Sequence, residues 1–171
     1  MTLAELVRDI AYHNPVWTPS DVEQRARLLR EGGLLPHGGR GRPSPPVIPR
    51  DVATLLLGLS ATGRAVEVVP VVKVYRDLQS SSNNGFARAP DFATALTVIL
   101  EDTEFLRMVD RVEICRSWPE AVIVYRKGKK SKTRVETYLP HHGRPARRDQ
   151  IQVSVNLRTE MLLRLSSSIS S

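Results

Sequence analysis

The sequence predicts an α+β fold in which N-terminal helices are followed by a small antiparallel sheet and a C-terminal helix. Apolar residues recur every three or four positions up to about residue 106, and beyond Val109 they alternate with the two-residue period of strands. The 171 residues can bury a core, which aliphatic side chains must fill because aromatic residues make up only 5% of the chain. We expect a helical domain over 1–78, a flexible linker over 79–89 and an α+β assembly or partner-binding domain over 90–171.

Two amphipathic helices open the chain. A capping box formed by Thr2 and Glu5 starts the first of them, which has a regular apolar stripe. The second helix is predicted over 20–30 and ends at a pair of glycines that suit left-handed backbone. The region over 36–49 that follows is rich in proline and glycine, which predicts a loop or a small wing.

Three further helices are predicted before the sheet. Pro49 suits the first position of a helix, so the leucine-rich stretch after it predicts one. A second is predicted before Asp77, with a strand as the alternative, although Pro70 counts against a central strand. Polar residues over 79–85 predict a mobile linker, and periodic apolar residues over 90–106 predict one continuous helix.

Alternating residues predict the strands. Residues 112–114 and 121–125 are predicted to form a hairpin around the turn 117–120. A lysine-rich turn leads into a third strand over 135–139, and a fourth is predicted over 151–155. A short helix closes the chain.

The charge of the chain favours a polyanionic partner. Its net charge is +7 and its isoelectric point about 10.1, and residues 111–171 alone carry +8. One cysteine, Cys115, cannot form an internal disulfide, and no apolar run approaches the ~20 residues of a membrane span. We therefore expect a protein of a reducing cytoplasm that has no contact with a membrane.

The segment Arg40-Gly41-Arg42-Pro43 is similar to an AT-hook. Glycine at its centre lacks the Cβ that would clash with the floor of the minor groove, and the flanking guanidinium groups suit the negative potential of A·T-rich DNA. Double-stranded DNA is therefore the first partner that the sequence predicts.

Residues 3–50 resemble a winged helix-turn-helix domain, although only two clear helices precede the wing where that family usually has three. The resemblance implies that the second helix enters the major groove and that the wing reaches the minor groove or the backbone. The lysine-rich turn is a further candidate, either as a phosphate clamp or as a solvated hairpin tip, and the helix arginines have the same alternative of a solvated face. The predicted DNA-contacting residues are Thr18, Ser20, Gln24, Arg25, Arg27, Arg40, Arg42, Lys127, Lys129, Lys130 and Lys132.

Three stretches, 31–36, 38–43 and 49–59, are also similar to small DNA-binding proteins encoded by bacterial prophages and gene transfer agents. This resemblance implies a sequence-preferring transcription regulator, oligomeric and associated with the bacterial nucleoid, with the transcription or packaging machinery as a further partner. Two alternatives stay open, namely a small terminase subunit or packaging adaptor, and a protein-interaction module whose arginines bind acidic surfaces.

The sequence lacks a catalytic or metal-binding set, so we expect no enzyme, no cofactor and no metal. His141 and His142 are adjacent and would point to opposite faces of a strand. Cys115 lies in an alternating strand pattern, which predicts a small buried side chain rather than a nucleophile. No glycine-rich phosphate loop has the spacing that nucleotide binding requires.

Overall fold

The structure, a computed structural model, describes residues 1–37, 45–82, 85–128, 131–141 and 152–170. These residues form seven α-helices and one five-stranded antiparallel sheet, which confirms the predicted α+β class. The helices are α1 (Leu3–His13), α2 (Pro19–Glu31), α3 (Pro49–Ser60), α4 (Val68–Arg76), α5 (Phe92–Glu101), α6 (Thr103–Met108) and α7 (Thr159–Ser170). The strands are β1 (Gln79–Ser80), β2 (Val109–Cys115), β3 (Glu120–Tyr125), β4 (Arg134–Leu139) and β5 (Ser154–Arg158).

The sheet has the strand order β1-β4-β3-β2-β5, and each neighbouring pair is antiparallel. The predicted hairpin is confirmed as β2 and β3. One face of the sheet is buried, since Val112 and Ile123 pair directly and Ile114 pairs with Ala121, all without solvent exposure. Helix α7 packs against β2 and β5.

Helix α3 lies at the centre of the fold. Every residue from Asp51 to Ser60 is buried, which is typical of a helix that has neighbours on all sides. It contacts α2, α4, α5 and α7. One cluster of buried apolar side chains extends from Leu6 in α1 to Leu165 in α7, so side chains of both predicted domains share one core.

The helix predicted before Asp77 is confirmed as α4, and the strand alternative is wrong. Pro70 is the third residue of α4, where the missing N–H has no partner within the helix to lose. The helix predicted over 90–106 is interrupted at Asp102, whose carboxylate accepts the backbone N–H groups of Glu104 at 2.8 Å and Phe105 at 3.4 Å. This cap ends α5 and begins α6.

The described residues of the predicted linker, 79–82 and 85–89, differ from that prediction. Strand β1 pairs with β4, and the hydroxyl groups of Ser80 and Ser82 donate to the buried carboxylate of Glu136 at 2.6 and 2.9 Å. Phe86 is 2% exposed, and its backbone N–H donates to the hydroxyl of Tyr138. The segment is therefore built into the sheet and the core.

The C-terminal strand begins later than predicted. Strand β5 starts at Ser154, after Val153, and the predicted strand residue Ile151 lies outside the described residues. Within the described ranges, none of the helices combines the length and apolar character needed to cross a membrane.

Candidate nucleic-acid interface

Helices α1 and α2 form a packed pair whose ends are capped locally. Thr2 and Glu5 make the predicted capping box, and the hydroxyl of Thr18 accepts the backbone N–H of Asp21 at 3.2 Å to start α2. Both helices bury aliphatic side chains in the core, such as Leu6 of α1 and Leu29 of α2. Their other sides remain open to solvent and carry polar residues.

Ser20, Gln24 and Arg27 lie on one exposed face of α2. Their spacing of four and three residues places the side chains one above another along the helix. Thr18 is also exposed, at the N-terminus of the helix, but its hydroxyl is used by the cap. The structure thus brings together three of the predicted α2 residues.

This face borders a groove between α1 and α2, which we call the arginine groove. Its cavity has a volume of about 750 Å³. The described lining carries three arginines against a single glutamate, so the groove is basic. It is formed by Leu3, Ala4, Val7, Arg8, Ser20, Glu23, Gln24, Ala26, Arg27, Arg30, Pro36 and Pro45.

Arg8 and Arg30 are not among the residues predicted from the sequence to contact DNA. Arg8 lies on the exposed side of α1, and its Nε donates to the carbonyl of Ala4 at 3.3 Å. Arg30 lies in the last turn of α2, and its Nε is buried with no hydrogen-bond partner in the described part of the chain. Helix periodicity shows that both residues lie off the apolar stripe, but it cannot show that the two helices bring them to one groove.

Arg25 does not belong to this face, and its predicted contact with DNA is wrong. It is 3% exposed because its side chain enters the core. Its Nη1 donates to the carboxylate of Asp21 at 2.6 Å, and its Nε donates to the carbonyl of Gly58 at 3.2 Å. Its Nη2 donates to the carbonyls of Thr62 and Gly63 at 3.4 and 3.3 Å. The guanidinium is therefore committed to the interior.

The wing arginines lie outside the described residues. Arg40 and Arg42 belong to the undescribed segment 38–44. The described prolines on its two sides, Pro36 and Pro45, both line the arginine groove. Described residues close to both ends of the AT-hook-like segment therefore line this groove.

The lysine-rich turn is attached to the sheet and contributes nothing to the described lining of the arginine groove. Lys127 and Lys132 are exposed, between β3 and β4. Lys129 and Lys130 lie outside the described residues. Lys127 and Lys132 thus lie outside the described lining of the arginine groove, and the phosphate clamp stays a prediction.

Cys115 and the carboxylate of Asp102 both have structural positions in the described part of the chain. Cys115 is 2% exposed, which confirms the predicted buried side chain. Asp102 caps α6. Over the described residues, no cluster of three or more histidine, cysteine, aspartate or glutamate side chains is placed to hold a metal ion.

Comparisons with protein-family models, with curated proteins and with solved structures found no match to this chain. Its resemblance to winged helix-turn-helix domains therefore rests on the sequence, and the arginine groove has to be interpreted from its own geometry and charge.

Proposed function

We propose that this protein binds double-stranded DNA with a preference for particular sequences and acts as a transcription regulator. The observation that carries the proposal is the exposed face of Ser20, Gln24 and Arg27, which lies beside two more arginines at the rim from which the AT-hook-like segment departs. Helix α2 enters the major groove, and Arg40 and Arg42 enter the neighbouring minor groove.

Each side chain of this face has a role that its chemistry suits. Gln24 can make paired hydrogen bonds to adenine, and Arg27 can make them to guanine. Ser20, in the first turn of α2, donates to a phosphate and fixes the position of the helix. Arg25 takes no part in binding, because it holds α2 against the C-terminal end of α3.

Arg27→Gln is expected to weaken binding to the preferred duplex about tenfold, the loss typical of one arginine contact to a base. The measurement is fluorescence anisotropy on duplexes selected from genomic fragments, at ~50 and ~200 mM salt. Lys73→Gln is the matched control, since it removes one positive charge from an exposed position on α4. It should change affinity less than about twofold, because Lys73 is neither on the exposed face of α2 nor in the described lining of the groove.

Absence of binding by the unaltered protein at ~50 mM salt would overturn the proposal, since phosphate contacts alone give measurable binding at low salt. If Arg27→Gln and Lys73→Gln changed the DNA affinity equally, α2 would not be part of the interface. Absence of DNA binding would also rule out the packaging alternative and leave the protein-interaction module as the leading one.

A variant that combines Arg40→Ala and Arg42→Ala is expected to lose preference for A·T-rich duplexes. The narrow minor groove of A·T tracts attracts inserted arginines, so affinity for these duplexes should fall at least about fivefold while affinity for G·C-rich duplexes falls less. Anisotropy titrations on the two duplex types check this. The control combines Lys73→Ala and Arg107→Ala, which also removes two exposed charges. An unchanged A·T preference in the Arg40 and Arg42 variant would show that the segment does not read the minor groove.

A further inference from the structure

The arginine groove is concave, whereas a helix that reads DNA meets the major groove with a convex ridge. Its volume of about 750 Å³ lies within the range of pockets that hold small molecules. A duplex that contacts Ser20, Gln24 and Arg27 at the edge would pass over this cavity and leave its interior unfilled. The interior is thus suited to a second and smaller occupant.

The lining of the groove combines apolar and cationic parts. Leu3, Ala4 and Val7 of α1 give one apolar wall, and the prolines at the rim extend it. The guanidinium groups of Arg8 and Arg30 are on the same groove, and neither makes an ion pair within the described residues. Such a lining is complementary to a molecule that has an apolar body and a negatively charged head group.

Arg30 gives an independent indication of a ligand. Its Nε is shielded from solvent and has no acceptor in the described residues. Leaving a buried donor unsatisfied costs about 1–3 kcal/mol, and buried donors in proteins almost always have a partner. Arg30 lines the groove, where an oxyanion would balance the positive charge of its guanidinium.

We infer that the arginine groove binds a small organic anion, with an apolar body against α1 and an oxyanion at Arg8 and Arg30. The anion competes with DNA, because Ser20, Gln24 and Arg27 line the same cavity and a negative charge held there repels the phosphates of a duplex that lies across it. The binding of the anion stands on the groove alone. The competition rests on the proposed function, and it would make the protein a regulator that releases DNA when the anion accumulates.

The test uses the fluorescent sulfonate 8-anilinonaphthalene-1-sulfonate as the anion. We expect one equivalent to bind the folded protein and to be displaced by octanoate, an unrelated apolar carboxylate. Arg8→Gln and Arg30→Gln should each weaken binding at least about fivefold, since each removes a charge-assisted hydrogen bond. Lys73→Gln removes an equal charge elsewhere and should leave the affinity unchanged.

Ala4→Trp tests the cavity itself while leaving every charge in place. Ala4 is exposed and lines the groove, so an indole there fills the site without disturbing the core. We expect binding of the sulfonate to fall at least about tenfold. Val74→Trp on the exposed side of α4 is the control, because it adds the same side chain away from the groove. Thermal unfolding of both variants checks that they are folded.

Failure of the sulfonate to bind, or equal binding by the Ala4→Trp and Val74→Trp variants, would overturn the inference. The competition is measured separately. Saturating octanoate should lower the DNA affinity of the unaltered protein, and it should not lower the DNA affinity of Ala4→Trp. If octanoate binds and DNA affinity does not change, the competition is wrong. If the protein does not bind DNA at all, the proposed function fails while the sulfonate titration still decides the anion site.

Discussion

Arg25→Met is expected to lower the free energy of unfolding by about 3 kcal/mol, the cost of leaving buried polar groups without partners. Methionine keeps most of the length of the side chain, but it cannot donate to the carbonyls of Gly58, Thr62 and Gly63. These carbonyls lie in and just beyond the last turn of α3, where a helix has unpaired acceptors and a partial negative charge. Urea unfolding followed by circular dichroism measures the loss.

Arg116 binds other carbonyls of the same helix end, so the loss of stability in Arg25→Met should not be larger than this. Its Nε and Nη2 donate to the carbonyls of Ser60 and Leu59 at 2.7 and 2.9 Å. Burial lowers the pKa of Arg116, and the nearby charge of Arg25 lowers it further. The two guanidinium groups thus repel each other, and removing Arg25 relieves part of that cost.

Arg27→Met is the control for Arg25→Met. The side chain of Arg27 is 61% exposed, and its Nε lies 3.8 Å from Glu31, an exposed pair that contributes little. We expect the free energy of unfolding to change by less than about 0.5 kcal/mol. If both variants lost the same stability, the hydrogen bonds of Arg25 would not be what fastens α2 to α3. The two variants also separate stability from binding, since only Arg27 belongs to the proposed interface.

Local patterns were enough to predict the helices at the N-terminus and the hairpin, because caps, prolines and residue periods act over a few positions. The apolar stripe of α2 also predicts that the side chain of Arg25 points into the core. Val22, Ala26 and Leu29 form an apolar stripe, and Arg25 stands inside it at the spacing of that stripe. An arginine in that position must find acceptors in the core, and Asp21 one turn earlier is its nearest partner.

Relations between distant segments were not predictable from the sequence. The serines of 79–82 predict a polar linker, whereas Ser80 and Ser82 donate to Glu136 in β4, which lies 56 and 54 positions further along the chain. Likewise, the arginine groove exists only because α1 and α2 pack side by side, and no local period encodes that contact. The exposed face of α2 could therefore be predicted from residue spacing, whereas the cavity beside it is known only from the fold.

Gly85→Ala is expected to lower the free energy of unfolding by about 3 kcal/mol, because strained backbone and a steric clash coincide there. The residue has φ +54° and ψ 174°, a conformation that side chains with a Cβ rarely adopt. A Cβ at this position would clash with the carbonyl oxygen of Ala89. Backbone must move to relieve that contact, which would disturb the neighbouring Phe86 in the core. Urea unfolding measures the loss.

Two other glycines separate the effect of the clash from that of the backbone angle. Gly33 has φ +71° with no heavy atom within 4 Å of a built Cβ, so Gly33→Ala should cost about 1 kcal/mol from the conformation alone. Gly63 has the same open space without a positive φ, and Gly63→Ala should leave stability unchanged or slightly raised. If Gly85→Ala lost no more stability than Gly33→Ala, the chain at 85–89 would be free to move, as expected of the predicted linker. The expected order, in which Gly85→Ala is the most harmful, follows only if this segment is fixed against β4 and the core.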